Sequence, residues 1–75
     1  ASISVQFSSD EALVLFEWLQ YFNKLERSDL IQDQSETRVL FDLESELETI
    51  LVETFSPDYV RILQESRERV RDKVD

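Results

Sequence analysis

At 75 residues, with 17 acidic against 8 basic side chains and a net charge of −9, the chain makes one small acidic domain. It has no His, Cys, Gly or Met. That removes imidazole and thiolate metal ligands, thiol nucleophiles, disulfides and phosphate-cradling loops built on glycine. A domain this short hides only about 60% of the surface its unfolded chain exposes, so oligomerisation is the staple left to it.

Five Phe, two Tyr and one Trp, within 41% hydrophobic content, supply enough apolar area for a folded domain in place of a disordered acidic tail. The longest unbroken apolar run, residues 12–16, is far short of the roughly 20 residues of a membrane span. No basic start followed by an apolar stretch suggests a signal peptide. Ala1 is small enough to follow a removed initiator or to mark a tag junction. Absence of cysteine fits a reducing, cytoplasmic compartment. The charge is uneven: residues 1–60 hold 13 acids against Lys24, Arg27 and Arg38, whereas residues 61–75 hold five basic and four acidic groups. Such a body repels nucleic acid and anionic membranes and favours basic partners.

Ile3, Val5 and Phe7 alternate with Ser2, Ser4, Gln6 and Ser8, the period of a half-buried strand over residues 2–7. Ser8 and Glu11 have the spacing of a capping box. They open a first helix over residues 9–26, with Phe7 against Ala12 as a weak hydrophobic staple. Ten of its fourteen residues from 12 to 25 are apolar. On a wheel at about 100° per residue they leave only a narrow polar strip of Glu17, Gln20 and Lys24, with Leu13 inside it and Asn23 inside the apolar arc. A surface helix needs an apolar stripe of about 100° or a little more. This one has about twice that, more than two short companion helices are expected to cover. No glycine ends the helix, which leaves its C-cap to Asn23, Lys24 or Arg27.

Residues 27–32 connect, with Leu30 and Ile31 expected to fold back on the core. Asp33 and Glu36 repeat the capping-box spacing ahead of a second helix over residues 34–54. Val39, Leu40, Leu43, Leu47, Ile50 and Leu51 form its stripe, Asp42, Glu46, Thr49 and Glu53 lie opposite, and Phe41 and Val52 make a second small patch. Ser56, Pro57 and Asp58 then supply a serine cap, a proline at the first helical position and an acid after it. The third helix, over residues 57–73, offers Tyr59, Val60, Ile62, Leu63 and Val70. Its second half is nearly all charge, with Glu65 and Arg69 spaced to pair. That half is expected to project into water and fray towards Asp75.

A lone strand cannot stay unpaired, because its backbone groups need partners and its apolar face needs burial. Two readings of residues 2–7 stand open: pairing with the strand of a second chain, or an extended tail over the helices. The order strand, helix, helix over residues 2–54 resembles the ribbon-helix-helix DNA-binding family. That resemblance implies a two-chain ribbon with Ser2, Ser4 and Gln6 facing a major groove, and a phosphate at the second helix's N-terminus near Ser35. The departures are a ribbon face without Arg or Lys, a long first helix and no glycine-bearing turn after it. The phrases EALVLFEWL and RVLFDLESELE also resemble short acidic bacterial reading frames. This implies a bacterial cytosolic protein and no particular activity.

The acids of the second helix have two readings. Glu44 and Glu48 share one face, and Asp42, Glu46 and Glu53 another. They are a solvated surface, or an anionic face that blocks a basic groove on a partner; none has the spacing or glycine of a calcium loop. Lys24 is the only lysine before Lys73, and no base is marked beside it, so no nucleophile emerges. Arg67, Arg69 and Arg71 alternate around a helix, with Glu68 and Asp72 among them, and read as salt-pairing groups.

Trp18 and Tyr21 lie with Val14 and Leu25 on one side of the first helix, away from Phe16 and Leu19. They are core or seam, and a small domain with two apolar sides on one helix favours the seam. The expected protein is therefore all-α: three helices preceded by one short N-terminal strand, paired as a homodimer through Ile3, Val5, Val14, Trp18, Tyr21 and Leu25. It is a non-catalytic protein-binding module of the acidic regulator, antitoxin or immunity-inhibitor type, with no cofactor and no metal. Glu44 and Glu48 are the candidate face for a basic protein. A ribbon-helix-helix-like transcriptional regulator is the alternative.

Overall fold

In a computed structural model describing residues 1–73, three helices follow one another. They are α1 (Ser9–Leu25), α2 (Gln34–Ile50) and α3 (Tyr59–Arg71), joined by single 3-10 turns at Ser28–Leu30 and Glu53–Phe55. Helix α1 is central. Both α2 and α3 pack on it and make little contact with each other.

The start of α1 follows from local chemistry. The Ser8 hydroxyl accepts from the Glu11 N–H (3.0 Å), and the Glu11 carboxylate accepts from the Ser8 N–H (2.8 Å). This reciprocal pair satisfies two of the four donors that a helix start leaves open. At the other end none of the expected caps acts. Glu26 itself turns left-handed (φ 51°), a position that glycine ordinarily takes and that costs a residue with a β-carbon about 1–2 kcal/mol.

At α2, the Asp33 carboxylate accepts from the Ser35 N–H (2.8 Å). Glu36 reaches one residue further back than a capping box requires, to the Gln32 N–H (2.8 Å). The helix ends at Ile50, four residues short of the expected 54, because Leu51 turns extended (ψ 113°) and residues 53–55 tighten into a 3-10 turn. Ser56 accepts from the Asp58 N–H (3.1 Å). The serine and proline thus shape a turn, and α3 begins at Tyr59, two residues after the expected start. Its last helical residue is Arg71, not 73, and the expected fraying at Asp75 lies outside the described residues.

Residues 2–7 do not form the expected strand. They run ahead of α1 without regular structure, with Ile3 93% and Val5 71% exposed. The physical reason is the one that made the strand questionable: one chain offers this segment no second edge, so its backbone groups turn to water.

The core consists of Ala12, Leu13, Phe16 and Leu19 of α1, Leu47 and Leu51 around the end of α2, and Leu63 of α3. Leu15, Leu40, Leu43, Tyr59 and Ile62 pack around it. Leu13, expected in the polar strip, is only 1% exposed. On the wheel it falls on the side that holds Glu17, and Glu17 is bound by Tyr59 of α3. The sides of α1 therefore have different covers, with α3 over Leu13 and α2 over the side of Asn23. The α2 stripe is narrower than expected. Leu47 is buried, Leu40 and Leu43 are half-buried, and Val39 and Ile50 at its edges lie exposed, as do Leu30 and Val60.

Removing a buried leucine from so small a core is expected to be severe. Leu19→Ala costs about 2–5 kcal/mol through lost burial and the cavity left behind. Ile50→Ser and Val60→Ser, at exposed positions, are expected to stay within about 0.5 kcal/mol. Thermal and urea melts followed by far-ultraviolet circular dichroism separate the two classes.

Candidate interaction surface

With α2 and α3 in place, one side of α1 remains open, and it is the side that carries Val14, Trp18, Tyr21 and Leu25. Trp18 is 49% and Tyr21 63% exposed, Leu25 is exposed, and Val14 is half-buried. Trp18 does not stand alone: its ring stacks on Phe22, one turn along, with centroids 4.9 Å apart and planes at 21°. Such a stack adds about 0.5–1.5 kcal/mol beyond area burial and fixes the indole against the helix.

Phe22 carries the apolar surface round into a groove of about 410 Å³ between the end of α1, the connector and the start of α2. Asn23, Arg27, Ile31, Leu40 and Phe41 are among its walls. A shallower depression of about 380 Å³ shares Phe22, Ile31 and Leu40 and adds Leu30 and Val39. Leu30 and Val39, both exposed, therefore border this depression beside Phe22.

Three polar links hold the helices together. Asn23 Nδ2 donates to Glu44 Oε1 at 2.6 Å, joining α1 to α2. The Tyr59 hydroxyl donates to Glu17 Oε2 at 2.6 Å, joining α3 to α1; burial and this bond to a carboxylate push the phenol's pKa upward. At the start of α1, Asp10 receives two bonds from the Arg69 guanidinium (2.8 and 3.0 Å) and one from the Ser66 hydroxyl (2.9 Å). The Arg69 bonds, helped by Ser66 and opposed by desolvation, hold the Asp10 carboxyl below its ordinary range.

Sequence spacing anticipated some of these placements and missed others. Glu44 and Glu48 do not stand as equal members of one face: Glu44 is half-buried and tied to Asn23, while Glu48 is exposed. Arg69 bonds Asp10, and Glu65 pairs with Arg61 instead. The charged half of α3 is thereby fastened to α1, with Lys73 also reaching Glu11 at 3.6 Å. Ser66, only 2% exposed, was not foreseen. It continues the helical spacing of Tyr59, Leu63 and Val70, but its hydroxyl hid it from a reading by apolar periodicity.

Among the described residues no group of three or more acidic side chains is gathered as a metal site, and no helix is long and apolar enough to cross a membrane. The chain matches no protein-family model, no curated protein and no solved structure.

The Asp10 link makes stability depend on acid. A carboxyl held low in the folded chain stabilises fully above its unfolded pKa of about 3.9, and that contribution is lost as pH falls through the lower folded value. Glu11, bonded by the Ser8 backbone and hydroxyl, Asp29, bonded by Arg27, and Asp33, bonded by Ser35, are lowered in the same sense. Stability is expected to decline from about pH 5 downward. Asp10→Asn is expected to lower stability at neutral pH and to make the acid decline shallower, as read by urea denaturation at stepped pH.

Proposed function

We propose that the protein is a non-catalytic interaction module that pairs with a second copy through the open side of α1. The pair presents an acidic exterior to a basic protein, in the manner of an antitoxin, immunity-type inhibitor or small acidic regulator of a bacterial cytosol. The observation that carries the reading is the uncovered strip of Val14, Trp18, Tyr21 and Leu25 on a helix whose other sides are already packed. Aromatic anchors of this kind dominate interface energetics. The chain's charge supports the rest. Exposed acids such as Asp42, Glu46 and Glu48 line the outer part of α2, and an anionic surface speeds association with a cationic partner more than it tightens the final complex.

Pairing two chains of −9 works against their mutual repulsion, which added salt screens within about 8–10 Å. The dimer is therefore expected to tighten as salt rises, while a complex with a basic partner weakens. Sedimentation or light scattering over a dilution series checks the first half. Mass rises from one chain to two, and Trp18 emission shifts to the blue as the indole loses water. Trp18→Glu is expected to stay folded, because Trp18 lies outside the core, and to remain monomeric. A chain that stays monomeric into the hundreds of micromolar, with unchanged emission, would falsify the pairing.

Ser2, Ser4 and Gln6 bring no cation to a nucleic-acid phosphate, and binding to DNA rests on such charges. No retarded band on duplex DNA is expected near physiological salt. Salt-sensitive, sequence-selective retention below micromolar concentration would favour the ribbon-helix-helix alternative instead.

A further inference from the structure

Residues 1–9 contain no charged side chain, although a third of the chain is charged, and they leave Ile3 and Val5 largely exposed. At the opposite end of α1 lies the apolar groove beside Phe22, with no segment of the chain's own arm over it. We infer that this groove receives residues 3–7 of a second copy, so that the two chains exchange N-terminal arms across the paired α1 helices. The inference rests on the α1 pairing proposed above and specifies what completes it.

Reach excludes the chain's own arm. From Ser8 to Phe22 the helix rises about 21 Å, at about 1.5 Å per residue. Five fully extended residues from Ser8 back to Ile3 span at most about 18 Å. Folded back along α1, Ile3 falls short of Phe22, and further short of Arg27 and Ser28 at the far wall.

A second copy meets no such limit. Two-fold pairing through one self-complementary strip is isologous: each residue's contact is returned. With the helices antiparallel, Val14 faces Leu25 and Trp18 faces Tyr21. The second copy's Ser8 then lies about 9 Å beyond Leu25, at about 1.5 Å of rise per residue. That is where the chain leaves α1 and turns through Ser28–Leu30 towards α2. The arm ahead of that Ser8 folds back about 14 Å along α1 to reach Phe22, against about 21 Å for the chain's own arm and an extended span of about 18 Å.

Charge excludes an acidic occupant and leaves the uncharged arm unopposed. The groove belongs to a chain of net −9 and has Glu26 and Arg27 on its rim. Arg27 is already held by Asp29 at 2.7 and 2.8 Å. An acidic segment would be repelled there. The uncharged arm avoids that cost and brings alternating apolar side chains to an apolar floor.

The absence of native cysteine makes a direct test clean. Val5→Cys chains are mixed with Ser28→Cys chains and oxidised, both substitutions being at exposed positions. A disulfide between the two different variants, abolished when both also carry Trp18→Glu, is the expected result. In parallel, Ile3→Asp with Val5→Asp is expected to raise the dimer dissociation constant by about tenfold or more, through lost apolar burial. Val5→Cys chains that link only to each other, in a dimer of undiminished affinity, would overturn arm exchange in favour of an arm-to-arm ribbon while leaving the α1 pairing intact. A double variant that closes an internal Val5→Cys to Ser28→Cys bridge in the monomer also overturns it. Absence of any dimer in the unsubstituted chain would remove both proposals together.

Discussion

The structure depends on a geometric shortage: α1 is apolar round most of its circumference, and the chain has only two further helices with which to cover it. Leu13 and the neighbouring Glu17 turn to α3, Asn23 turns to α2, and Phe16 and Leu19 fill the space at the centre. Since α2 and α3 sit on different sides of α1 and hardly meet, neither can extend its cover to the third side. Trp18 and Tyr21 are left there because two helices at this packing geometry do not close a ring about a third. That side of α1 stays open to water.

Polar contacts do work here that the small core cannot do alone. Asp10, Glu17 and Glu44 each hold a neighbouring helix, through Arg69 and Ser66, Tyr59, and Asn23 respectively. These bonds fix the lateral position and rotation of α2 and α3, which a handful of leucines constrains weakly. By contrast, Arg38 with Asp42 and Arg61 with Glu65 join exposed groups on single helices. Pairs of that kind add only about 0.3–0.5 kcal/mol. The same side-chain chemistry therefore serves two purposes, set by whether it spans one helix or two.

The helices were legible because their starts are written in short range: Ser8 with Glu11, Asp33 with its neighbours, and Ser56 before Pro57 all lie within four residues of what they control. Their ends were less so. Glu26 closes α1 by adopting a conformation that its side chain does not favour, and no residue type announces that. The central core of Phe16 and Leu19 followed from periodicity, whereas Leu13 did not, because α3 approaches from a side that one helix's wheel labels polar. Ser66 and Asp10 were invisible for a related reason: they are 56 residues apart, and only the fold brings them together. The strand expected at residues 2–7 shows the converse limit. Alternation states which side chains would share a face, but a strand exists only where another edge receives it.

The separation of α2 from α3 gives the molecule a particular hierarchy of opening. The outer helices hardly touch directly, although Leu47, Leu51 and Leu63 share one core on α1 and Glu53–Phe55 packs on α3, so forms with one outer helix opened and the shared core loosened are expected below global unfolding in free energy. Amide hydrogens of α3 exchange with solvent when the Asp10 and Glu17 links let go, and those of α2 when the Asn23 link does. The amides of α1 stay protected in both forms, since either outer helix still shields part of it. Exchange is thus nested, with the central helix as the last element to yield its protons, even though one of its sides already faces water.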